Sequence, residues 1–498
     1  MDNRILSDDL NTAAPAVQSF VAQDKGSAYQ RQAQVGQDYY DYKHDILDNR
    51  IFYVDDNGQL KEDTYASNVK IPHPFFTELV DQKVQYLLSN PVEFETENEK
   101  LKERLKEYID ADLHVALQDV MQGASIKGAE FIYARTTSQD KLKFEAADSL
   151  QTRPVYNDDN ETVAIIRYYN RDIVKGNKTV TLTYVERWTD QDVAFFVIDE
   201  KGKIYLDTAQ AINPRPHVIA ITEDGSTLGR TYGTIPFYKL PNNTNQTSDL
   251  APIKALIDDY DLMNAFMSNN LQDFTDAIYV VRGFKGDNLS TLRQNIKAKK
   301  TVAVGEAGGV DVKTIEIPVA ARKTKLDLDR ENIYKFGMGF DSAQVGDGNI
   351  TNIVIKSRYS LLDLKCNKAE ARLRAMLGWI TKMILVDIQR RYGESYSDDE
   401  LDITITRETM VNETDNANIA LIEAQTKATI IQAILAAAPQ IGDESTLKLI
   451  CEQFELDLEE VQKQIEEQDY KAGLAKDTDP IEDEETEEDE VIIGGPTN

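Results

Sequence analysis

The stretch GDGNIT, from Gly346 to Thr351, is the part of this sequence that most resembles a chemical motif. A phosphate-binding P-loop needs a Gly-Lys-Ser/Thr end, because its lysine reaches the phosphates and its hydroxyl reaches the magnesium ion. Here Gly348 is followed by Asn349, and a predicted helix rather than a strand precedes the loop. The stretch is therefore predicted to be a flexible connection between two helices, with a mechanical role rather than a nucleotide-binding one.

Other residue types that could do chemistry are scattered along the chain. The four histidines are far apart and form neither an HxxxH nor an HExxH pair, so structural roles are favoured over metal binding. No GxSxG or Cys/His arrangement supports a nucleophile, and acidic runs such as EDEETEEDE are typical of solvated faces or tails. The sequence thus predicts no catalytic residue, no metal site and no cofactor. The four histidines are His44, His73, His114 and His217.

Composition narrows the function classes further. The chain has 498 residues and a net charge of −31, and its last 48 residues hold 18 Asp/Glu against three Lys. Such a chain does not bind nucleic acid through bulk charge, because tight phosphate binding relies on many Lys and Arg releasing counterions. Two distant cysteines indicate no disulfide framework and fit a reducing cytoplasm. No apolar signal core or membrane-length apolar run is present, so we expect a protein that is neither secreted nor membrane-spanning.

Hydrophobic spacing predicts a chain of mixed helix and sheet. Helical spacing predicts helices within 75–89 and 99–121, and period-two alternation over 129–207 predicts antiparallel strands with hairpin turns at 175–177 and 201–203. Further helices are predicted over 253–278, 319–340 and 353–392, with a small α/β insertion (two strands after a short helix) over 279–318. A lone strand at 401–406 should pair with the earlier sheet, and helices near 415–438, 444–454 and 457–470 follow. The apolar seam of the 253–278 helix is predicted to be Ile253, Leu256, Tyr260, Met263, Met267, Leu271, Phe274 and Ile278.

Charge is segregated between two of these helices. The polar side of the helix at 253–278 is acidic, whereas residues 356–391 carry nine Lys/Arg against three Asp/Glu. Ion pairs between basic and acidic helices of neighbouring copies are favoured over direct DNA contact, and such heterologous contacts suit a ring. The acidic side holds Asp258, Asp259, Asp261, Asp273 and Asp276, and one face of the basic helix holds Lys365, Lys368 and Arg372.

Four stretches, taken in order, carry a resemblance to a known family. They are HDIL at 44–47, FFTELVDQKVQYLLSNPVEF at 75–94, YGTIPFYKLPNN at 232–243 and GNITNIVIKSRYSLLDLKCNKAEARL at 348–373. With the order helix, inserted α/β unit, helix, loop and long helix, the chain resembles the portal proteins of tailed double-stranded DNA bacteriophages, in the branch typical of long-tailed siphophages. The likeness covers roughly residues 39–470.

The resemblance implies an α+β portal fold with long stem and wing helices, an antiparallel β wing segment, a small α/β clip insertion and a helical C-terminal crown. The implied parts are a wing (39–249), stem helices (250–277 and 319–341) flanking a clip (278–318), a tunnel loop (342–352), a long wing helix with its returning strand (353–411) and a crown (412–472). Composition predicts the two ends of the chain: the polar residues 1–38 are expected to form a flexible N-terminal segment, and residues 473–498 an acidic disordered tail.

The resemblance also implies a function and partners. Twelve copies would form a ring-shaped channel at one capsid vertex, through which a separate terminase motor packages double-stranded DNA; the ring would later release the DNA and join head to tail. Implied partners are DNA, held weakly and without sequence preference, the terminase large subunit, head-completion or adaptor proteins, and the major capsid and scaffold proteins. Assembly in the host cytoplasm and a final place in the virion are implied. A metal-dependent nuclease with dispersed carboxylates, and a non-channel scaffold or adaptor, stay open as alternatives.

Candidate site residues follow from these implied parts. The acidic stem face would repel the DNA backbone, which suits a conduit that must not adhere to its cargo. Gly346 and Gly348 would let the tunnel loop shift, and its polar residues would make transient contacts with phosphates. The implied DNA-facing residues are Ser342, Gln344, Gly346, Asp347, Gly348, Asn349, Thr351, Asn352 and Lys356, and the implied clip contacts are Arg293, Lys297, Lys299 and Lys300.

Overall fold

The computed structural model describes residues 2–465 apart from 56, 138, 177, 222–226, 274–276, 285–291, 293–303, 315–318, 342–351, 408–412, 455 and 459. The chain divides into two compact units, Met1–Met410 and Val411–Asn498. Helices and antiparallel strands alternate through the first unit, and the second is helical where it is described, so the α+β prediction is confirmed. No helix within these described ranges is both long and apolar enough to cross a membrane.

The helices are α1 (Leu10–Lys25), α2 (Ala28–Tyr40), α3 (Phe75–Leu88), α4 (Glu99–Leu105), α5 (Ala111–Lys127), α6 (Lys254–Asp273), α7 (Val319–Gly337), α8 (Asn352–Tyr392), α9 (Glu413–Ile441) and α10 (Asp443–Phe454). The strands are β1 (Phe52–Val54), β2 (Leu60–Glu62), β3 (Glu93–Glu95), β4 (Ala129–Thr136), β5 (Leu142–Ala147), β6 (Thr152–Tyr156), β7 (Thr162–Lys175), β8 (Lys178–Trp188), β9 (Asp192–Ile198), β10 (Ile204–Leu206), β11 (Arg215–Pro216), β12 (Val218–Ile221), β13 (Thr227–Arg230), β14 (Phe237–Pro241), β15 (Ala277–Phe284), β16 (Val304–Thr314) and β17 (Asp402–Thr404).

The N-terminal residues are ordered, which makes the prediction of a mobile segment over 1–38 wrong. A buried stripe on α1, centred on Val17, packs against Phe196 of the main sheet. Side-chain caps start both N-terminal helices, because Asp9 accepts a hydrogen bond from the Asn11 N–H at 3.1 Å and Ser27 caps α2 in the same way. The stripe is rich in alanine, which gives little hydrophobic signal in a sequence, so its burial escapes a reading of composition alone.

The main sheet is antiparallel, with the strand order β10-β9-β8-β7-β6 and β11 also paired to β9. The predicted hairpin turns are confirmed: Lys175 pairs with Lys178 across the first, and Gly202 has a φ of 77° in the second. A separate three-stranded sheet, β14-β4-β5, contains the FYKLP segment at 237–241. Two sheets therefore stand where the alternation predicted one.

A helical core lies beside these sheets. Its helices α3, α5 and α8 bury the apolar faces predicted for α3 and α8. The helix predicted over 99–121 is instead two helices, because the chain breaks after Leu105 and Asp110 caps α5 by accepting from the Leu113 N–H at 3.0 Å. The buried residues include Phe76, Leu79, Val80, Val84 and Leu87 of α3 and Leu362, Leu373, Met376, Ile380 and Ile384 of α8.

The long helix α8 has 41 residues, as its apolar spacing predicts. Its final residue, Tyr392, lies beneath the guanidinium of Arg104, 3.7 Å from ring centroid to Cζ, and donates a hydrogen bond to Glu107. The strand that follows, β17, pairs with β3 alone in a two-stranded ribbon rather than joining either larger sheet.

Helices α6 and α7 pack side by side and flank an inserted antiparallel hairpin, β15–β16. The two strands predicted after the short helix of this insertion form the single strand β16, and the short helix itself lies outside the described residues except for Leu292. In the second unit, α9 and α10 confirm the helices predicted near 415–438 and 444–454. Residues 466–498, which contain the acidic tail, lie outside the described ranges.

Candidate functional site

Most of the predicted loop and clip residues lie outside the described ranges. This applies to seven loop residues, to the basic cluster of the insertion and to Asp276. Asn352 is the first residue of α8 and Lys356 lies in its second turn, while Asp273 is the last residue of α6. The undescribed residues are Ser342, Gln344, Gly346, Asp347, Gly348, Asn349, Thr351, Arg293, Lys297, Lys299 and Lys300.

The segment that leads into the loop is held firmly. Asp341, the last described residue before the loop, is buried and accepts two hydrogen bonds from the guanidinium of Arg330, at 3.1 Å to Nε and 2.8 Å to Nη2. This two-pronged pairing fixes orientation as well as distance. The side chain of Asp341 is thus occupied within its own subunit.

The acidic face predicted for α6 is not a uniform outward face. Asp261 is only 1% exposed and lies between two histidines: its carboxylate accepts from Nδ1 of His44 at 2.7 Å, from Nδ1 of His73 at 2.6 Å and from the His73 N–H at 3.1 Å. Burial alone would raise the pKa of Asp261, but the hydrogen bonds from the two histidines outweigh it and hold the pKa below its ordinary value. The prediction that Asp261 faces a channel is wrong.

Two other acids of that face stay near the surface, and each has a lysine partner. Asp258 accepts from Lys254 at 2.8 Å and from the hydroxyl of Tyr39, and Asp259 pairs with Lys325 of the neighbouring helix α7. Their charge is therefore largely balanced within the subunit. The Asp259–Lys325 pair also ties α6 to α7 along the length of the helix pair.

A second buried charge cluster lies where α3, α8 and the end of α7 meet. Oδ2 of Asp249 is 3.0 Å from Nζ of Lys83 and 3.1 Å from Nζ of Lys365, and Lys365 also donates to the Gly337 carbonyl at 3.0 Å. Burial lowers the pKa of Lys83; burial would raise that of Asp249, but Lys365 and Lys83 outweigh it and lower that pKa strongly.

This cluster removes one residue from the basic intersubunit face predicted for Lys365, Lys368 and Arg372 of α8. Lys365 is engaged inside its own subunit, at the last turn of α7. Lys368 is exposed, and Arg372, which donates to the Lys368 carbonyl at 3.0 Å, is half-exposed. Only the last two remain placed to meet another copy of the chain.

Sequence reasoning missed the histidine cluster. His44 and His73 come together through Asp261 although 217 and 188 positions separate them from it along the chain. Spacing could not reveal this, and only the presence of HDIL among the recognised stretches pointed to His44. Among the residues that the structure describes, no group of three or more His, Cys, Asp or Glu is arranged to hold a metal ion.

A pair of packed helices flanks an inserted hairpin, and a 41-residue helix crosses the mixed core. Residues 22–472 match the family model described as "Phage portal protein, SPP1 Gp6-like". The chain belongs to this family of portal proteins, which are structural components of the virion that form an oligomeric ring at a capsid vertex and connect head to tail.

Individual relatives agree with the family match. The portal protein of Bacillus phage SPP1 is 30% identical over 385 residues, which cover 76% of this chain and 74% of that protein. The portal protein of Clostridium phage phiCD119 is 27% identical over 407 residues, covering 76% of this chain and 86% of that protein. A chain from the neck of a native GTA particle, computed with C12 symmetry, is 12% identical with a TM-score of 0.32, over 76% of this chain and 89% of that chain, and adds nothing to the assignment.

Proposed function

We propose that twelve copies of this portal protein form a ring whose central channel conducts double-stranded DNA into the capsid during packaging and out again during ejection. A separate terminase motor drives the DNA, and the portal itself carries no enzymatic activity. The observation that supports this proposal is the placement of the loop 342–351, which joins a paired-helix unit to α8 in a chain of a ring-forming family.

Within this ring, the loop residues from Ser342 to Asn352 and nearby Lys356 face the DNA. The net charge of −31 per copy favours a conduit that DNA does not adhere to, because tight DNA binding requires a positive surface. Exposed Lys368 and half-exposed Arg372 pair with acidic residues of the next copy. These contacts are weak individually and are repeated at every interface of the ring.

The ends of the ring meet other components of the virion. The basic residues Arg293, Lys297, Lys299 and Lys300 of the insertion contact the terminase large subunit during packaging and head-completion or adaptor proteins afterwards. The major capsid and scaffold proteins surround the ring, which assembles in the host cytoplasm. The family assignment disfavours both the nuclease and the scaffold alternatives.

The test is native mass spectrometry of the purified protein together with negative-stain microscopy, with and without scaffold protein. We expect a ring of twelve subunits with a central hole. Proheads built on Asp347→Asn or Asn349→Ala rings should then package less DNA than wild type although the rings are intact. A protein that stays monomeric with scaffold present, or that cleaves DNA when magnesium is added, would overturn the proposal.

A further inference from the structure

The described residues on either side of the loop 342–351 show how its two ends are held. α7 ends in a Schellman turn: the Gly339 N–H donates to the Tyr334 carbonyl at 2.9 Å, and Met338 has a left-handed φ of 55°. The turn redirects the chain from α7 toward α3. It is built from the GMGF stretch, 337–340.

Glycine is required in this turn by a close approach to α3. A Cβ at Gly339 would lie 2.0 Å from Cδ2 of Leu79, and a Cβ at Gly337 would lie 2.6 Å from Cδ1 of the same side chain. Because real atoms do not approach so closely, a larger residue here would force the Leu79 side chain or the turn to move. The two glycines therefore let the turn pack directly against Leu79 of α3.

Gln82 of α3 then grips the backbone of the next residue at two points. Its Nε2 donates to the Phe340 carbonyl at 2.7 Å, and its Oε1 accepts from the Phe340 N–H at 2.9 Å. The side-chain amide thus bonds to both the N–H and the C=O of Phe340, as the opposite residue of an antiparallel strand would. Glu78, one turn earlier on α3, bonds to both helices. It accepts from Nε2 of Gln82 at 3.2 Å and from the hydroxyl of Tyr334 of α7 at 2.6 Å.

Aromatic rings join the two sides of the loop. The ring of Phe340, before the loop, stacks on that of Tyr359, after the loop, with centroids 4.8 Å apart and planes inclined by 16°. Tyr359 in turn stacks on Tyr86 of α3, at 6.0 Å and 23°. Tyr86 donates to Asp363 of α8 at 3.2 Å. Gln82 and Tyr86 are four residues apart, so they lie on one face of α3.

We propose that Gln82 is a positioning residue for the DNA-facing loop: Gln82 holds Phe340, two residues before that loop, and Tyr86 holds Tyr359, in the third turn of the helix after it, against one face of α3. The inference rests on the proposed function, in which the loop faces DNA. α3 then sets the positions of Phe340 and Tyr359, which flank the loop. Each copy in the ring would therefore present its loop at the same position along the channel axis.

The test uses full-length rings with Gln82→Met, which keeps the length of the side chain but loses both hydrogen bonds to Phe340. Gln85→Met, at an exposed position of the same helix, is the matched control. Native mass spectrometry checks ring assembly, hydrogen–deuterium exchange follows the peptide that contains the Phe340 amide, and proheads with terminase, ATP and linear DNA report packaging.

We expect Gln82→Met rings to assemble, to exchange the Phe340 amide about tenfold faster, as fits the loss of one or two hydrogen bonds, and to package several-fold less DNA. Gln85→Met should match wild type. Unchanged exchange in Gln82→Met, or faster exchange with normal packaging, would overturn the inference.

A second variant covers the case in which Gln82→Met does not assemble. Tyr359→Leu keeps the Gln82 grip but removes the stack at the base of the loop, and Tyr359 is half-exposed, so the fold should tolerate the change. Normal exchange and normal packaging with Tyr359→Leu would show that the stack of Phe340, Tyr359 and Tyr86 does not hold the residues that flank the loop. If wild-type rings package no DNA in the same assay, the proposed function fails, while the exchange result still decides whether Gln82 holds Phe340.

Discussion

Nδ1 of His44 lies 2.7 Å from Oδ2 of Asp261, and the two groups are completely buried. The contact joins the turn after α2 to the middle of α6, and His73, just before α3, completes it from the other side. The imidazole of His44 also stacks on Tyr39, whose hydroxyl bonds to Asp258 on the next turn of α6. A small polar cluster thus fixes α6 against the turn after α2 and the residues just before α3.

Replacing Asp261 by Ala should destabilise the subunit strongly. The change leaves three N–H donors without their acceptor, one of them on the fully buried ring of His44, so we expect a loss of about 3–5 kcal/mol in the free energy of unfolding. Asp259→Ala on the same helix removes a partly exposed pair with Lys325 and should cost only about 0–1 kcal/mol. Urea unfolding of the two variants measures both, and equal losses would show that the buried cluster has no special weight.

Lys365 and Lys368 should differ in kind although they are one turn apart. Lys365→Met deprives Asp249 and the Gly337 carbonyl of a donor and should lower the free energy of unfolding by about 2–4 kcal/mol. Lys368→Met at an exposed position should change it by less than about 0.5 kcal/mol, yet lower the fraction of subunits found in rings. Urea unfolding of the monomer and native mass spectrometry of the ring separate the two effects. If Lys368→Met forms rings as well as wild type does, Lys368 does not contribute to the interface between subunits.

Lys239 gives a pH dependence with a definite sign. Burial lowers its pKa to about 8, below the value of about 10.4 for an unfolded lysine. Between these values the unfolded chain binds more protons, so the contribution of Lys239 to stability rises from pH 8 to about pH 10.4. Lys239→Met should therefore stabilise the subunit most at pH 7, by about 1–3 kcal/mol less the hydrogen bonds lost to Tyr156 and Gln246.

The advantage of Lys239→Met should shrink steadily as the pH rises through that range. Thermal melting at pH 7, 8, 9 and 10 measures it, with wild type as the reference at each pH. A difference that does not depend on pH would mean that Lys239 carries the same charge in both states.

The N-terminal helices should prove to be part of the fold. Val17→Asp places a charge in the packed contact between α1 and Phe196 and should cost about 3 kcal/mol or more. Ser19→Asp, on the exposed side of the same helix, should have little effect. Thermal melting compares the two variants. Identical melting temperatures would show that α1 is mobile and does not stabilise the fold.

The sequence predicts the burial of a helix well where burial follows from local apolar spacing, and poorly where it depends on partners far away in the chain. The burial of α3 and α8 follows directly from apolar residues at helical spacing, and those predictions are confirmed. For α6 the predicted seam has the wrong phase: the helix buries 253, 257, 261, 265 and 269, which include Asp261 and Asn269, and leaves Leu271 exposed. The tertiary partners of those polar side chains lie nearly 200 positions or more away, so no local pattern could announce them.

The candidate site was predictable in outline only. The order of recognised stretches predicts the loop 342–352 between two helices; α7 and α8 stand before and after residues 342–351, which lie outside the described ranges, so the loop itself stays a prediction. Gln82 carried no signal of its own, because one glutamine on an amphipathic helix is an ordinary surface residue in any sequence. Its role depends on Phe340, 258 positions later in the chain.

The unbroken length of α8 has a mechanical consequence. At 1.5 Å per residue its 41 residues span about 60 Å, from the loop to the pocket of Arg104 and Glu107 that holds Tyr392. A helix packed along most of its length does not bend easily within a turn or two. A push on its first turn is therefore either resisted by the whole core or felt as movement at Tyr392. Helix α8 is thus a strut that couples the residues around Asn352 to the contacts that Tyr392 makes with Arg104 and Glu107.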